Sequence, residues 1–508
     1  MGGRELAGRR GGDWTEGRGK TPPPAPPVAS EPSDDSQIVT INPATGSELA
    51  TYPVHRWSDV DRLLDGASEA AGGWREVPRK SQSALLRRVG TILRQRREEF
   101  AELITNEMGK PIAEARAEID KCSWNCDVVA EHTAQWLADQ AIAGPGTSSW
   151  VSYEPLGVIL AVMPWNYPFW QVLRFACAAV AAGNAAVLKH APNVTGSALA
   201  IEQVFTEAGA PEGLFTSLVI APAQVGDIVG RLVADPRVAA VTLTGSDRAG
   251  ASVGAAAGEA LKPSVLELGG SDPFVVLAGA DLPAAAAAAV KSRFGNAGQS
   301  CIAAKRFIVE EAVADEFVTL LAQRVGDLIV GDPRDDATQV GPMARLDLRE
   351  ALQGQVERSV AAGAKVAVGN TVPEGPGWFY APTVLDHVTP GMAVFREETF
   401  GPVAAVVRAR DVEDCVRLAN DTVYGLGASV WGPAEQALAV GRRIRSGGLF
   451  VNTIVASDPR LPFGGVGRSG YGRELAAEGL RAFTNVRTVV VGGPAPAGST
   501  TGALAGAE

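Results

Sequence analysis

Apolar positions along the chain change period several times, and each change predicts an element. From Val60 to about Gln140 they recur at three- and four-residue spacing, with Leu85, Leu86, Val89, Ile92 and Leu93 on one face, which predicts helices with one buried stripe. Gly144-Pro145-Gly146 interrupts that pattern, and Trp150 to Pro155 reads as an edge strand closed by proline. Four short apolar runs follow: Gly157–Val162, Ala186–Leu188, Ser217–Ile220 and Val238–Leu243. Helical stretches separate them, such as Thr195 to Ala208 closed by Gly209. Continuous apolar strands alternating with helices predict a parallel sheet with both faces covered. Ligands bind such sheets beyond the carboxyl ends of the strands, so Pro164-Trp165-Asn166, Lys189 and Gly245-Ser246 are the positions to watch.

A second alternating region runs from Pro273 to about Leu449, with strand-like Phe274–Leu277, Arg306–Val309, Val384–Leu385 and Val403–Val407. It predicts a second α/β domain. Phe483 to Val491 is a lone β-rich segment after a helix, and an unpaired late strand predicts pairing with another copy of the chain. At the other end, residues 1–36 are rich in Gly, Arg and Pro, which predicts no fixed structure. Folding is expected to begin at Ile38-Val39-Thr40-Ile41.

The formal net charge of −11 argues against nucleic acid or an anionic membrane as a general partner. The residues from Val275 to Val290 come closest to a membrane span, but Asp281 and six consecutive alanines spoil it. No secretory leader is read at the N-terminus, so a cytoplasmic protein is expected. Five cysteines make no disulfide framework, and four histidines leave little for a metal site. Cys122 and Cys126 read as two partly buried thiols on one helix.

Three residues suggest covalent chemistry. Cys301 follows the small, flexible Gly295-Asn296-Ala297-Gly298-Gln299-Ser300, which allows a sulfur to be presented to a substrate. Glu267 lies inside the apolar Val265-Leu266-Glu267-Leu268-Gly269-Gly270, where desolvation would raise its pKa into the range of a general base. The Asn166 amide is a candidate donor to a developing oxyanion. Gly465-Val466-Gly467-Arg468-Ser469-Gly470 matches G-x-G-x-x-G, but no strand precedes it, so it is set aside as a dinucleotide fingerprint. Gly245-Ser246 follows a strand and opens a helix, so its N–H groups are placed to meet a pyrophosphate.

Together these motifs resemble the aldehyde dehydrogenase superfamily from about residue 37 to 492. Leu266–Gly270 is similar to the family's glutamate motif and Gly298–Cys301 to its cysteine motif. Pro164-Trp165-Asn166, Thr244-Gly245-Ser246, Glu397–Pro402 and Pro462–Gly465 follow in family order. The resemblance implies an α/β fold with a Rossmann-type cofactor domain (37–139 and 157–269) and a catalytic domain (270–450). It implies a small β oligomerisation element (140–156 and 475–492), a loop segment at the active site (451–474) and a flexible tail (493–508). It implies Cys301 as nucleophile, Glu267 as the base that activates water, and Asn166 as oxyanion donor. Pro164, Trp165, Lys189, Thr244, Gly245, Ser246, Gly269, Glu398 and Phe400 are implied as contacts to NADP or NAD. The implied partners are a small aldehyde and a second or further copy of the chain, as homodimer or homotetramer, with no metal.

Lys189-His190-Ala191, Trp170 to Arg174 and Ser457 to Pro462 are similar to bacterial succinate-semialdehyde dehydrogenases. That likeness implies that Trp170, Arg174, Ser300 and Ser457 hold the substrate, with Arg174 and Ser457 on its carboxylate. Ala303 stands where some relatives carry a second cysteine, so their redox switch is not expected. Pro192 stands where NAD-preferring members usually have Glu and NADP-using relatives often have Ser; it leaves room for NADP, the cofactor towards which the reading leans. Three rivals stand beside this one: oxidation of another aromatic, aliphatic or ω-carboxy aldehyde, acyl transfer to coenzyme A, and a non-catalytic protein on the same fold. Glu267 argues against the second, and Glu267 with Cys301 against the third.

Overall fold

The computed structural model of the chain describes residues 36–144 and 146–492. The expected disordered extension and flexible tail lie outside these residues, apart from Ser36. Gln37–Ile41 pairs with Glu48–Pro53 as an antiparallel hairpin, where folding was expected to begin. Four helices follow: Trp57–Trp74, Arg79–Gln95, Arg97–Met108 and Ile112–Trp136. The predicted stripe faces the core, with Leu85, Leu86, Val89 and Leu93 buried and Ile92 partly so.

The four apolar runs enter one six-stranded sheet. Its order is Gly470–Tyr471, Ser264–Glu267, Val238–Thr244, Val158–Val162, Ala185–Lys189, Phe215–Leu218. All neighbours are parallel except the short Gly470–Tyr471, which runs against Ser264–Glu267. The G-x-G-x-x-G segment thus braces the glutamate strand, with Gly470 opposite Glu267. A seven-stranded sheet follows, ordered Lys365–Val368, Thr383–Asp386, Val403–Ala409, Ala304–Glu310, Asp272–Val276, Gly427–Trp431, Gly448–Val451. Only Lys365–Val368 runs antiparallel in it. One apolar core joins the first sheet to the N-terminal helices, and two more cover the faces of the second sheet. Ser264–Glu267 belongs to the first sheet and Asp272–Val276 to the second, so Leu268–Ser271 crosses between them.

Two expectations change. The Trp150–Pro155 segment is no edge: Ser148–Pro155 lies between Thr484–Val491 and Gln140–Ala141 in a three-stranded antiparallel sheet. Pro155 closes the strand, where its missing N–H interrupts no interior ladder bond. Nor is the C-terminal strand alone, since all eight residues of Thr484–Val491 pair with Ser148–Pro155. Its partner lies over 300 residues earlier and could not be read locally. Among the described residues no helix is long and apolar enough to cross a membrane.

Candidate active site

Cys301 lies in the turn between the short helix Gly295–Gly298 and the strand Ala304–Glu310. Asn296 and Ala297 adopt positive φ of 54° and 49°, uncommon for non-glycine residues. Gly298 follows at φ 71°, where a Cβ would overlap the Gly401 carbonyl. Buried donors hold this conformation. Arg293 donates to the Gly298 carbonyl at 2.9 Å, to Thr399 O at 3.1 Å and to Gly401 O, joining the cysteine loop to the Glu398–Phe400 loop. Lys305 Nζ donates to the carbonyls of Ser300 and Cys301 at 3.0 and 2.9 Å and lies 3.5 Å from Glu398 Oε1. From the helix Ile112–Trp136, Glu114 accepts the Asn296 N–H at 2.7 Å.

Two cavities meet at Cys301. One, of about 240 Å³, is walled by the strand ends of the first sheet: Pro164, Trp165 and Asn166, then Thr244, Gly245 and Ser246. Gly269, Glu398 and Phe400 close it, and the Trp165 and Phe400 rings meet edge to face at 5.7 Å. Ser246 caps the helix Asp247–Glu259 by accepting from Ala249 N at 3.2 Å, so the cavity opens on a helix N-terminus. Glu398 is fixed there by the Gly270 N–H at 2.9 Å. Lys189 ends its strand outside this wall, and burial lowers its pKa to about 8.

The other cavity, of about 390 Å³, is lined by the remaining predicted residues Trp170, Arg174, Ser300 and Ser457. Trp170 opens the helix Trp170–Ala181, whose first N–H groups, of Phe169 and Trp170, both donate to Glu118 Oε1 at 2.9 Å. Glu118 is itself neutralised by Lys110. Arg174 lines the cavity with part of its guanidinium already engaged. Its Nε forms an ion pair with Glu474 and its Nη2 donates to Thr244 Oγ1 at 3.3 Å. Burial of so much charge demands such pairing.

Glu267 is buried, and neither carboxylate oxygen has a hydrogen-bond partner among the described residues. Burial, then the nearby Glu474 charge, pushes its pKa well above the carboxylate range; Arg174 and Arg473 oppose this. A carboxyl held that way suits proton transfer near neutral pH. Gly464, at φ 153°, lets the backbone pass Glu267, because a Cβ there would lie 2.5 Å from Oε1.

Burial pushes the Cys301 thiol up, to about 12, against the lowering by Arg174 and Lys305. Cys301 is nevertheless the one partly exposed cysteine among five, since Cys122, Cys126, Cys177 and Cys415 are buried. Asn166 Nδ2 donates to Gln299 O at 3.0 Å, leaving that group's second N–H for another acceptor.

Lys121, Glu118, Glu474, Lys305 and Arg293 escaped the sequence reading. Each lies close to other charged or polar residues in the sequence, so no local signal marked it as buried.

The chain matches the family described as "Aldehyde dehydrogenase family" over residues 30–489. It is 48% identical over 455 residues to the Escherichia coli protein named succinate semialdehyde dehydrogenase [NAD(P)+] Sad, covering 89% of this chain and 98% of the relative. It is 47% identical over 454 residues to a probable succinate-semialdehyde dehydrogenase [NADP(+)] of Synechocystis, covering 89% and 99%. Among solved structures, the succinic semialdehyde dehydrogenase of Streptococcus pyogenes in complex with NADP+ superimposes with a TM-score of 0.87 at 35% identity, covering 90% of this chain and all of that one.

Proposed function

The chain belongs to the aldehyde dehydrogenase family, and from that premise we propose that it oxidises succinate semialdehyde to succinate with NADP or NAD. The observation that carries this reading is the meeting of two cavities at Cys301, one for a cofactor and one for an aldehyde. Relatives of 45–48% identity named for this activity support the substrate.

The first cavity fits a dinucleotide. A helix N-terminus capped by Ser246 suits a pyrophosphate, and Glu398 and Phe400 border the part nearest the sulfur. Lys189 is assigned to the adenosine ribose. Pro192 brings no carboxylate to repel a 2′-phosphate, in keeping with use of NADP. When bound, the nicotinamide supplies the hydride acceptor.

The residues of the chain do the rest. The Cys301 thiol loses its proton to solvent, and its sulfur adds to the aldehyde carbon. The oxyanion is received by the Cys301 N–H and the spare Asn166 N–H. Once hydride has left, a thioester joins substrate to Cys301. Glu267 then takes a proton from water, which attacks the acyl carbon and releases the acid and the thiolate.

The test follows cofactor reduction with succinate semialdehyde beside acetaldehyde and benzaldehyde, in the native protein and in Arg174→Ala. A large preference for the acid aldehyde supports the assignment. Equal turnover of the neutral aldehydes keeps the chemistry and removes the substrate.

The proposal includes a cytoplasmic homodimer or homotetramer. The strand Thr484–Val491 ends its sheet with Val486, Val490 and Val491 exposed, an edge available to another copy. Light scattering that returns a monomer mass would remove this part.

A further inference from the structure

We propose that Lys121, together with Ser457, is the anchor for the carboxylate of the substrate, a role that the sequence places on Arg174. The inference rests on the reading of the 390 Å³ cavity as the aldehyde site.

Three cations border that cavity. Lys291 is exposed at its rim. Arg174 is buried but already neutralised, with Glu474 on its Nε. Lys121, on the helix Ile112–Trp136, is the third. Its Nζ donates to Ser457 Oγ at 2.7 Å and lies 4.4 Å from the centre of the Trp170 ring. Among the described residues no carboxylate lies within ion-pair distance of it. The neighbouring Asp458 is taken by Arg460 at 2.6 Å, and Glu118 by Lys110.

An ammonium has three N–H donors, and Ser457 uses one. Because Ser457 Oγ accepts from Lys121, its own proton is free to donate. The two groups therefore present a cation and a hydroxyl donor side by side, the complement of a carboxylate. The face of Trp170 attracts the ammonium without neutralising it. Burial works against the ammonium, so an anion beside it is favoured. The cavity that holds both this pair and Cys301 is also lined by Ile302, Ile454, Val455 and Phe463, apolar surface that suits a methylene chain. An aldehyde with a carboxylate at its far end thus has each part matched.

The experiment compares KM and kcat for succinate semialdehyde and for butanal, which has the same chain length and no charge. Enzymes are the native protein, Lys121→Met and Lys121→Arg. Losing a hydrogen-bonded ion pair should raise KM for succinate semialdehyde about tenfold or more in Lys121→Met, with kcat changed less than about twofold. Butanal kinetics should stay within about twofold, and Lys121→Arg should recover most of the lost affinity. An equal loss with both aldehydes would reduce Lys121 to a brace for Ser457 and overturn the proposal, as would an unchanged KM. A native enzyme with no preference for succinate semialdehyde overturns the substrate reading instead. The anchor is then judged with succinate as inhibitor: its inhibition constant rises about tenfold in Lys121→Met if the anchor stands, and stays put if it does not.

Discussion

Arg174 and Glu474 form an ion pair sealed from solvent, with side chains only 2% and 0% exposed, and Glu474 acts electrostatically on Glu267. The pair thus does two things at once: it neutralises a buried guanidinium and it helps set the ionisation of the base. Glu474→Gln removes one of the causes that raise the Glu267 pKa. The acid limb of kcat should move to lower pH in that variant, and a pH–rate profile reads it. Glu474→Ala leaves an unpaired buried charge and should cost about 3–5 kcal/mol in denaturant unfolding.

Glu267→Gln should still form the thioester but hydrolyse it slowly. A rapid-mix experiment should show one equivalent of reduced cofactor followed by a stall. In the native protein the base works only when ionised, and its raised pKa means that activity falls as pH falls through that value. Stability runs the other way. A carboxyl whose folded pKa is raised contributes most below its ordinary pKa, and that contribution is lost as pH rises through the raised one. Glu267→Gln should therefore melt above the native protein at alkaline pH, and the difference should vanish near pH 4 (about the ordinary carboxyl value).

Asn166→Ala removes a side-chain donor and should lower kcat about 10²–10³-fold. KM for the aldehyde should change little, since the loss falls on the transition state. A fall in KM affinity with kcat intact would make Asn166 a support for Gln299 alone.

Thiol labelling should find Cys301 first, through access and not through acidity. Its burial-raised pKa predicts that the alkylation rate keeps climbing with pH beyond 9 (about the ordinary thiol range), without a plateau near neutrality. Mass mapping of the labelled peptide checks both the site and the order against Cys122, Cys126, Cys177 and Cys415.

Burial and the Arg174 charge lower the Lys121 pKa to about 8, while Cys122, Asp458 and Glu118 pull it up. The ammonium is charged below that value and neutral above it. KM for succinate semialdehyde should rise as pH passes about 8, with butanal's flat, and Lys121→Arg should abolish the rise because guanidinium stays charged.

What could be read from the sequence follows from where each signal is stored. The strands Val158–Val162 and Val238–Thr244 are continuous apolar runs, so composition betrays them. Cys301 and Glu267 stand in local motifs of small and apolar residues. Lys121 sits between Asp120 and Cys122 and looks like the wet side of a helix; its role depends on Ser457, 336 residues away. Arg174 can be placed at a substrate site by its motif, but its partner Glu474, 300 residues on, leaves no local trace. The central position of Ser148–Pro155 likewise depends on a strand at the far end of the chain.

The two cavities share little besides Cys301 and Gln171 in their walls. On the proposed reading, a change at Lys121 or Ser457 in the aldehyde cavity leaves Ser246, Glu398 and Phe400 in the other cavity untouched. Such a layout lets descent or engineering vary fuel and currency separately, with the sulfur as the fixed point between them.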